Sequence, residues 1–339
     1  MCDRLQIHVA LASDDNYFRG LLVTAISIVE HCSKPNHLVF HVLDGGIADE
    51  NWHFLRLQLE RHHSQVERLC VDQGNFAHLV AWHGDSKMTY ARLLLPEILP
   101  NVQCVVYSDV DFLWLDDISI LWEQRNDSVA LQYVPLTARD PLCFGSEDDW
   151  LIKHKLTIDA ETYFCAGMVM MNLDMFRAKR LHHIVLAVLN DNGGDAPMVD
   201  QTALNVVFSR LKEKEALPVR WQQMTSDHGV FQDGPHAVLH YAGDCPWKPL
   251  KYTNHFLTDF HLLWHLTYAR INRISLWQSL RLGNSPFMIA LGRLLYLSVC
   301  HSGIIKKVLE KYLLMKGKDA AFLKGLFRIP SAVFDAEEK

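Results

Sequence analysis

This 339-residue chain has no run of eighteen uninterrupted apolar residues, so no segment reads as a membrane-spanning helix. The nearest stretch, 286–300, is interrupted by Arg293. The opening MCDRLQIHVALASDD carries no long apolar segment after its charges. No signal peptide is expected from it, and a cytoplasmic location is. The eight cysteines are scattered without a single CxxC pair, which argues against a zinc ribbon or disulfide framework and for thiols in a reducing compartment. Neither GxGxxG nor GxxxxGK[ST] occurs, which disfavours the usual dinucleotide and P-loop modes of phosphate binding. There is no internal repeat and no low-complexity segment, and a formal charge of −6 speaks against a general nucleic-acid binder. At 49% hydrophobic and 21% charged residues, the chain has the composition of a globular enzyme-sized domain plus an appendage.

What is present centres on 104–117, CVVYSDVDFLWLDD. β-Branched and aromatic residues make its first part a short buried strand, which delivers Asp109 and Asp111 one residue apart before apolar residues resume. Desolvating uncompensated carboxylates costs several kcal/mol. Either the stretch is an acidic turn, or the pair holds a divalent cation that in turn holds phosphate oxygens. Upstream, 7–12 reads as a strand followed by the polar turn SDDNY and a helix over 20–31, the opening of an α/β nucleotide-binding unit. Asp14, Asp15 and Asn16 either cap that helix or reach a base and ribose. Strands are also expected at 38–43, 66–71, 129–134, 163–172 and 237–239, with helices at 51–62, 174–189 and 202–211. A helix begins at Thr89, and Arg92 on its apolar face either snorkels to solvent or needs a carboxylate or phosphate partner. The glycine at 167 inside a strand pattern marks a close approach of backbone or ligand. Asp200 is either a helix cap or a site residue, and His240 ends the last strand, before the Gly/Pro loop HYAGDCPWK.

From 262 to 328 the character changes. Eleven lysines and arginines face only two acids there, a net +9 that leaves −15 for the rest of the chain. Aromatic residues interleave with the cations. This pattern fits either an interfacial segment for an anionic membrane surface or a helical subdomain packed on the core. Two regions are expected, 1–255 and 256–339.

Two carboxylates and one imidazole suit Mn²⁺ better than Ca²⁺, with Mg²⁺ as the alternative. The segments ALASDDNY (10–17), FHVLDGGI (40–47), TYARLLLPEIL (89–99), YSDVDFLWLDDI (107–118), FCAGMVMMNLDMF (164–176), Asp200-Gln201 and HYAGDCPWK (240–248) occur in that order. Together they resemble glycosyltransferase family 8, the retaining GT-A enzymes that include bacterial lipopolysaccharide galactosyl- and glucosyltransferases and glycogenin. The resemblance spans about 5–255 and implies an α/β GT-A fold, a mixed Rossmann-like sheet flanked by helices. It implies Asp109, Asp111 and His240 as ligands of Mn²⁺ (or Mg²⁺) between the phosphates of a UDP-hexose. Asp14, Asn16 and Tyr17 would face the uridine, with Tyr17 stacked on the base, and Ala12 would be among the nucleotide- and donor-binding residues. Arg92, Ser108, Val110 and Gly243 would lie along the donor, Asp200 would hold sugar hydroxyls, and Gln201 would stand beside the anomeric carbon. The expected acceptor is a glycan or lipid-linked saccharide such as lipopolysaccharide, reached at the inner face of the cytoplasmic membrane. Two departures stand out. Cys165 occupies the position of the family's usual Asn, and Cys245 that of its loop lysine, for which Lys248 is the nearest substitute. The alternative reading is therefore a catalytically impaired UDP-sugar or glycan-binding protein of the same fold.

Overall fold

The computed structural model describes residues 6–81, 86–136, 141–225, 236–243, 245–249 and 257–301. Strands β1 (Ile7–Ser13), β2 (Leu38–Asp44), β3 (Gln65–Cys70), β4 (Cys104–Ser108), β6 (Leu131–Pro135), β7 (Phe164–Asn172) and β8 (Lys214–Ala216) form one sheet in the order β3-β2-β1-β4-β7-β6-β8. A smaller sheet has the order β5-β10-β9, from β5 (Phe112–Trp114), β9 (Gln223–Met224) and β10 (Val238–His240). The first four strands of the large sheet run parallel, while β7 is antiparallel to both β4 and β6. This is the mixed α/β GT-A-like architecture that the resemblance implied.

Strands β1 and β2 are buried along their whole length, as expected of parallel strands covered on both faces. Their side chains alternate between two cores. Val9, Leu11 and Val106 join one cluster; Ala10, Ala12, Val105 and Tyr107 join the other. Helix α1 (Phe18–His31) covers the first face, and α6 (Leu173–Lys179), α7 (Leu181–Asp191) and α8 (Val199–Ser209) the second. The remaining helices are α2 (Asp49–Arg61), α3 (Leu95–Ile98), α4 (Ile118–Glu123), α5 (Pro141–His154), α9 (Asp259–Asn272), α10 (Leu276–Leu280) and α11 (Pro286–His301).

The strand order places the site. The chain moves from β1 outward through β2 to β3, then returns to the other side of β1 as β4. The carboxyl ends of β1 and β4 therefore adjoin at a topological switch point, where open α/β sheets bind ligands. Immediately beyond β4 the chain leaves the large sheet for the small one, and Asp109 to Asp111 occupy that crossing.

Some expectations are corrected. The helix expected over 174–189 is two helices, because Arg180 adopts a left-handed conformation (φ 52°) between α6 and α7. The helix expected from Thr89 is a 3₁₀ stretch, Met88–Leu94, that relaxes into the single α turn α3 with Pro96 in its first turn. Helix α5 and the short strands β8 and β9 are additions. The C-terminal region packs in part: Phe260 and Trp264 of α9 lie in a cluster with Val23, Tyr241 and Trp247. Trp277, Phe287 and Leu294 remain exposed. The basic residues from Lys306 to Arg328 lie outside the described residues.

Candidate active site

A cleft of about 350 Å³ opens over the carboxyl ends of β1 and β4. Its lining includes Ala12, Asp14, Tyr17, Arg92, Asp109, Val110, Asp111, Asp200, Gln201, His240 and Gly243 from the predicted set. Ser108 lies beneath the cleft, fully buried, with its hydroxyl on the Asp109 carbonyl. Asn16 is exposed on a short 3₁₀ turn and is not part of the lining. Lys248 stands at the mouth, where Nζ donates to the Tyr17 hydroxyl at 3.0 Å and lies 4.8 Å from the ring centroid. The turn after β1 divides its acids. The Asp14 carboxylate caps the 3₁₀ turn by accepting from the Tyr17 N–H, whereas Asp15 accepts from Ala48 N–H and Asn51 and so faces away from the cleft.

Helix α1 holds the Asp109–Asp111 crossing through residues spaced to share one face. A Cβ on Gly20 would lie 2.5 Å from the Val110 carbonyl oxygen, so only glycine admits this approach. One turn on, the Thr24 hydroxyl sits between the carbonyls of Val110 and Phe112, at 2.9 and 2.7 Å, and Ser27 Oγ accepts from Trp114 N–H. From the other side Asp109 N–H donates to Gly167 O. Gly167 is the close approach its sequence context predicted: a Cβ there would be 3.0 Å from both His240 and Phe112. Its absence lets His240 stack on Phe112 with ring centroids 4.0 Å apart.

One wall of the cleft is a closed charge network. Arg92 is 1% exposed, so it does not snorkel. It donates to Asp109 Oδ1 at 3.0 Å and to the Ala166 carbonyl, forms an ion pair with Asp200 Oδ2 at 2.8 Å, and lies over the Tyr107 ring at 4.2 Å. Tyr107 donates to the same Asp109 oxygen, and Thr89 donates to Asp200 Oδ1 at 2.5 Å. Asp200 is therefore a site residue rather than the cap of α8, whose N-cap is Met198. Val199, a β-branched residue at φ 47°, turns the chain into the helix just before it. Such a conformation costs about 1–3 kcal/mol and persists where packing over-determines it. Gln201 is locked as well: Oε1 accepts from Ala166 N–H and Nε2 donates to the Tyr163 hydroxyl, which bonds the buried Glu147 of α5. Burial raises the Asp200 carboxyl above its usual range against the opposing pull of Arg92. Asp109 is pushed up to about 6 by burial, again against Arg92, with Asp111 adding to the rise.

The opposite wall is not closed. Asp111 Oδ1 is buried without a hydrogen bond, and its nearest counterpart is His240 Nε2 at 3.4 Å. Cys165 Sγ lies 3.9 Å from His240 Nδ1, and Gln222 Nε2 lies 3.2 Å from the same nitrogen while Gln222 Oε1 is a buried orphan. Burial disfavours charge on His240, but Asp111 and Cys165 outweigh it and raise the ring to about 10. Four carboxylates (Asp14, Asp109, Asp111, Asp200) line the cleft against the Arg92 guanidinium and the His240 ring, so it carries a negative excess. An orphaned oxygen, an imidazole nitrogen and a second carboxylate in such a field fit a divalent cation. Oδ1 of Asp109 is committed to Arg92 and Tyr107, which leaves its other oxygen for the ion.

Thr89, Tyr107, Glu147, Tyr163 and Gln222 were not singled out from sequence. Thr89 and Tyr107 sit in recognised segments; the others carry no local signal beyond being polar in apolar surroundings.

The glycosyl transferase family 8 model matches residues 8–253. General stress protein A of Bacillus subtilis is 24% identical over 79% of this chain and 96% of its own. Probable galacturonosyltransferase-like 4 of Arabidopsis thaliana is 28% identical over 80% and 81%. Among solved structures, the galactosyltransferase LgtC, determined with donor and acceptor sugar analogues, superposes with a TM-score of 0.62 at 24% identity over 78% of this chain and 96% of LgtC. The bifunctional glycosyltransferase WbbM gives 0.61 at 20% identity over 79% of this chain and 51% of WbbM.

Proposed function

The chain belongs to glycosyl transferase family 8 and is a glycosyltransferase, and we propose that it transfers a hexose, glucose or galactose, from a UDP-sugar to a saccharide hydroxyl with retention at the anomeric carbon. The observation that carries this reading is the unbalanced charge of the cleft. A pocket with four carboxylates repels a diphosphate unless a cation intervenes, and the unpartnered Asp111 oxygen facing His240 is where one is wanted. Asp109, Asp111 and His240 would hold it. When bound, Mn²⁺ or Mg²⁺ there neutralises the diphosphate and makes it a better leaving group.

The protein's own groups do the rest. Asp14 and Tyr17 flank the uridine at the end of β1. Arg92 fixes Asp109 and Asp200 from beneath, so Asp200 meets the sugar hydroxyls in one orientation. Asp200 and Gln201 are both fixed in place rather than poised to approach the anomeric carbon. The carboxylate is held by Thr89 and Arg92, and the carboxamide by Ala166 N–H and Tyr163. Front-face attack is therefore the route we propose, in preference to a covalent intermediate on either side chain. The acceptor oxygen bonds the anomeric carbon as the bond to the phosphate oxygen breaks, and that departing oxygen takes the acceptor proton. Lys248 beside Tyr17 supplies positive charge at the mouth.

The acceptor is a glycan, and a lipid-linked saccharide such as lipopolysaccharide suits the C-terminal helices. Trp277, Phe287 and Leu294 are exposed on α10 and α11, and the chain beyond is rich in lysine. No helix among the described residues is long and apolar enough to cross a membrane, so contact from the cytoplasmic side would be peripheral. A second reading, a UDP-sugar-binding protein with little turnover, rests on Cys165 and Cys245 at positions where the family keeps Asn and Lys.

The test is release of UDP from a panel of UDP-sugars, with Mn²⁺ or with EDTA, for the wild type and Asp111→Asn. One donor is expected to turn over only with the ion, and the variant to lose about 10²–10³-fold in rate at an unchanged melting temperature. Metal-dependent UDP binding without turnover favours the second reading. Absence of UDP binding defeats both.

A further inference from the structure

On the far side of the second core, away from the cleft lining, two consecutive histidines of α7 meet a carboxylate of α3. Nε2 of His182 and Nε2 of His183 each lie 3.4 Å from Glu97 Oε1, and the imidazole centroids are 4.1 Å apart. The three donor atoms all lie within 4.8 Å of one another, the only such trio of His, Cys, Asp or Glu ligands among the described residues.

As a set of direct bonds this arrangement is poor. One carboxylate oxygen faces two ring nitrogens at a distance too long for a good hydrogen bond to either. As a coordination shell it is well proportioned. Zinc bonds to imidazole nitrogen and carboxylate oxygen are about 2.0–2.1 Å, and the edge of a tetrahedron with such bonds is about 3.4 Å. We propose that Glu97, His182 and His183 form a cation site, separate from the cleft, for a borderline divalent transition-metal ion such as Zn²⁺, which clamps α3 to the start of α7.

The surroundings favour this. His182 is 4% exposed and cannot turn away, while the side chains of His183 and Glu97 are 44% and 55% exposed and leave room for water in the fourth position. Nδ1 of His182 is buried without a hydrogen bond. The backbone of α3 is already pinned: Arg177 donates to the carbonyls of Pro96, Leu99 and Val102 at 3.0, 3.0 and 2.9 Å. Little ordering is thus left for the ion to impose. The positive end of α7 opposes a cation, which makes the Glu97 carboxylate indispensable.

The full-length protein, stripped with EDTA and dialysed, would be titrated with Co²⁺ while its visible d–d absorption is followed, then with Zn²⁺ as competitor. Glu97→Gln, His183→Gln and Asp111→Asn would be run in parallel. The first two alter exposed side chains, so circular dichroism and melting are expected to match the wild type without metal. The expected result is one tetrahedral Co²⁺ band displaced by Zn²⁺, retained in Asp111→Asn. Affinity should fall at least about tenfold in Glu97→Gln and His183→Gln, and a Zn²⁺-induced rise in melting temperature should vanish in both. No band in the wild type, a band unchanged in both surface variants, or a band lost only in Asp111→Asn would overturn the proposal.

Discussion

The two walls of the cleft are built from the same kinds of residue and reach opposite states. On the Arg92 wall a fully buried guanidinium is shared between Asp109 and Asp200, Tyr107 and Thr89 each donate to one oxygen of these carboxylates, and Asp200 Oδ2 is held by its ion pair with Arg92. On the His240 wall Asp111 Oδ1 has no hydrogen bond and Gln222 Oε1 has none either. Buried polar groups in folded proteins are satisfied by protein or water, and exceptions call for an explanation. The difference teaches which wall is scaffold and which is binding surface. The closed network presets geometry, and the open one is completed by a ligand.

The contrast breaks most severely if Arg92 is removed. Arg92→Met leaves Asp109 and Asp200 facing each other in a site where Asp200 is 1% exposed. Removing one partner of a buried ion pair costs about 3–5 kcal/mol. A fall in melting temperature of ten degrees or more is expected together with loss of transfer activity, whereas Asp111→Asn on the open wall should lose activity alone. Parallel thermal melts and UDP-release assays on the two variants check this. Equal melting temperatures for both would mean that the closed wall is not structural.

Buried histidines extend the comparison to the scaffold. His240 is raised to about 10 beside Asp111, while His41, equally buried between β1 and β3, is lowered to about 4 by burial and by His8, its 2.9 Å hydrogen-bond partner. Lowering means that the unfolded chain takes up this proton more readily than the folded one. The stability contributed by neutral His41 is therefore complete above pH 6.5 and is lost as pH falls from 6.5 toward 4, a difference of about 3 kcal/mol. Melts between pH 7.5 and 4.5 should show this slope in the wild type and less of it in His41→Gln. An identical slope in both would place the acid lability elsewhere.

How far the sequence reached follows the same division. Asp109 and Asp111 were legible because carboxylates interrupting an apolar strand are a local anomaly, and Gly167 for the parallel reason that a glycine breaks a strand pattern. That Arg92 either snorkels or needs a carboxylate or phosphate partner was legible; its burial and its pairing with Asp200 were not, since the pair forms only when α8 is laid beside the 3₁₀ stretch. Glu147 lies on a helix whose sequence, PLCFGSEDDWLIKH, has no clean apolar stripe, so neither the helix nor its buried acid announces itself. Strands β8 and β9 have three and two residues, too few for any alternation to show. The break at Arg180 occurs without Gly or Asn, the residues that ordinarily signal a left-handed cap. Local anomalies are readable from the chain; closure between distant elements is not.

The mouth of the cleft offers the finest test of the comparison, because there the open wall is partly completed from within. Lys248 donates to the Tyr17 hydroxyl at 3.0 Å and lies over its ring, in a loop where Cys245 stands in place of the family's usual lysine. If Lys248 supplies the charge that Cys245 cannot, it acts on the leaving diphosphate rather than on the fold. Lys248→Ala should then lower kcat about tenfold, leave the melting temperature unchanged and leave Mn²⁺ affinity near that of the wild type. Lys248→Arg should restore much of the rate, since a guanidinium on the same loop still presents positive charge to a phosphate. Steady-state UDP release with both variants separates the outcomes. A rise in KM at constant kcat would assign Lys248 to holding the nucleotide through Tyr17, and no change in either would leave neutralisation of the diphosphate wholly to the Asp111–His240 wall.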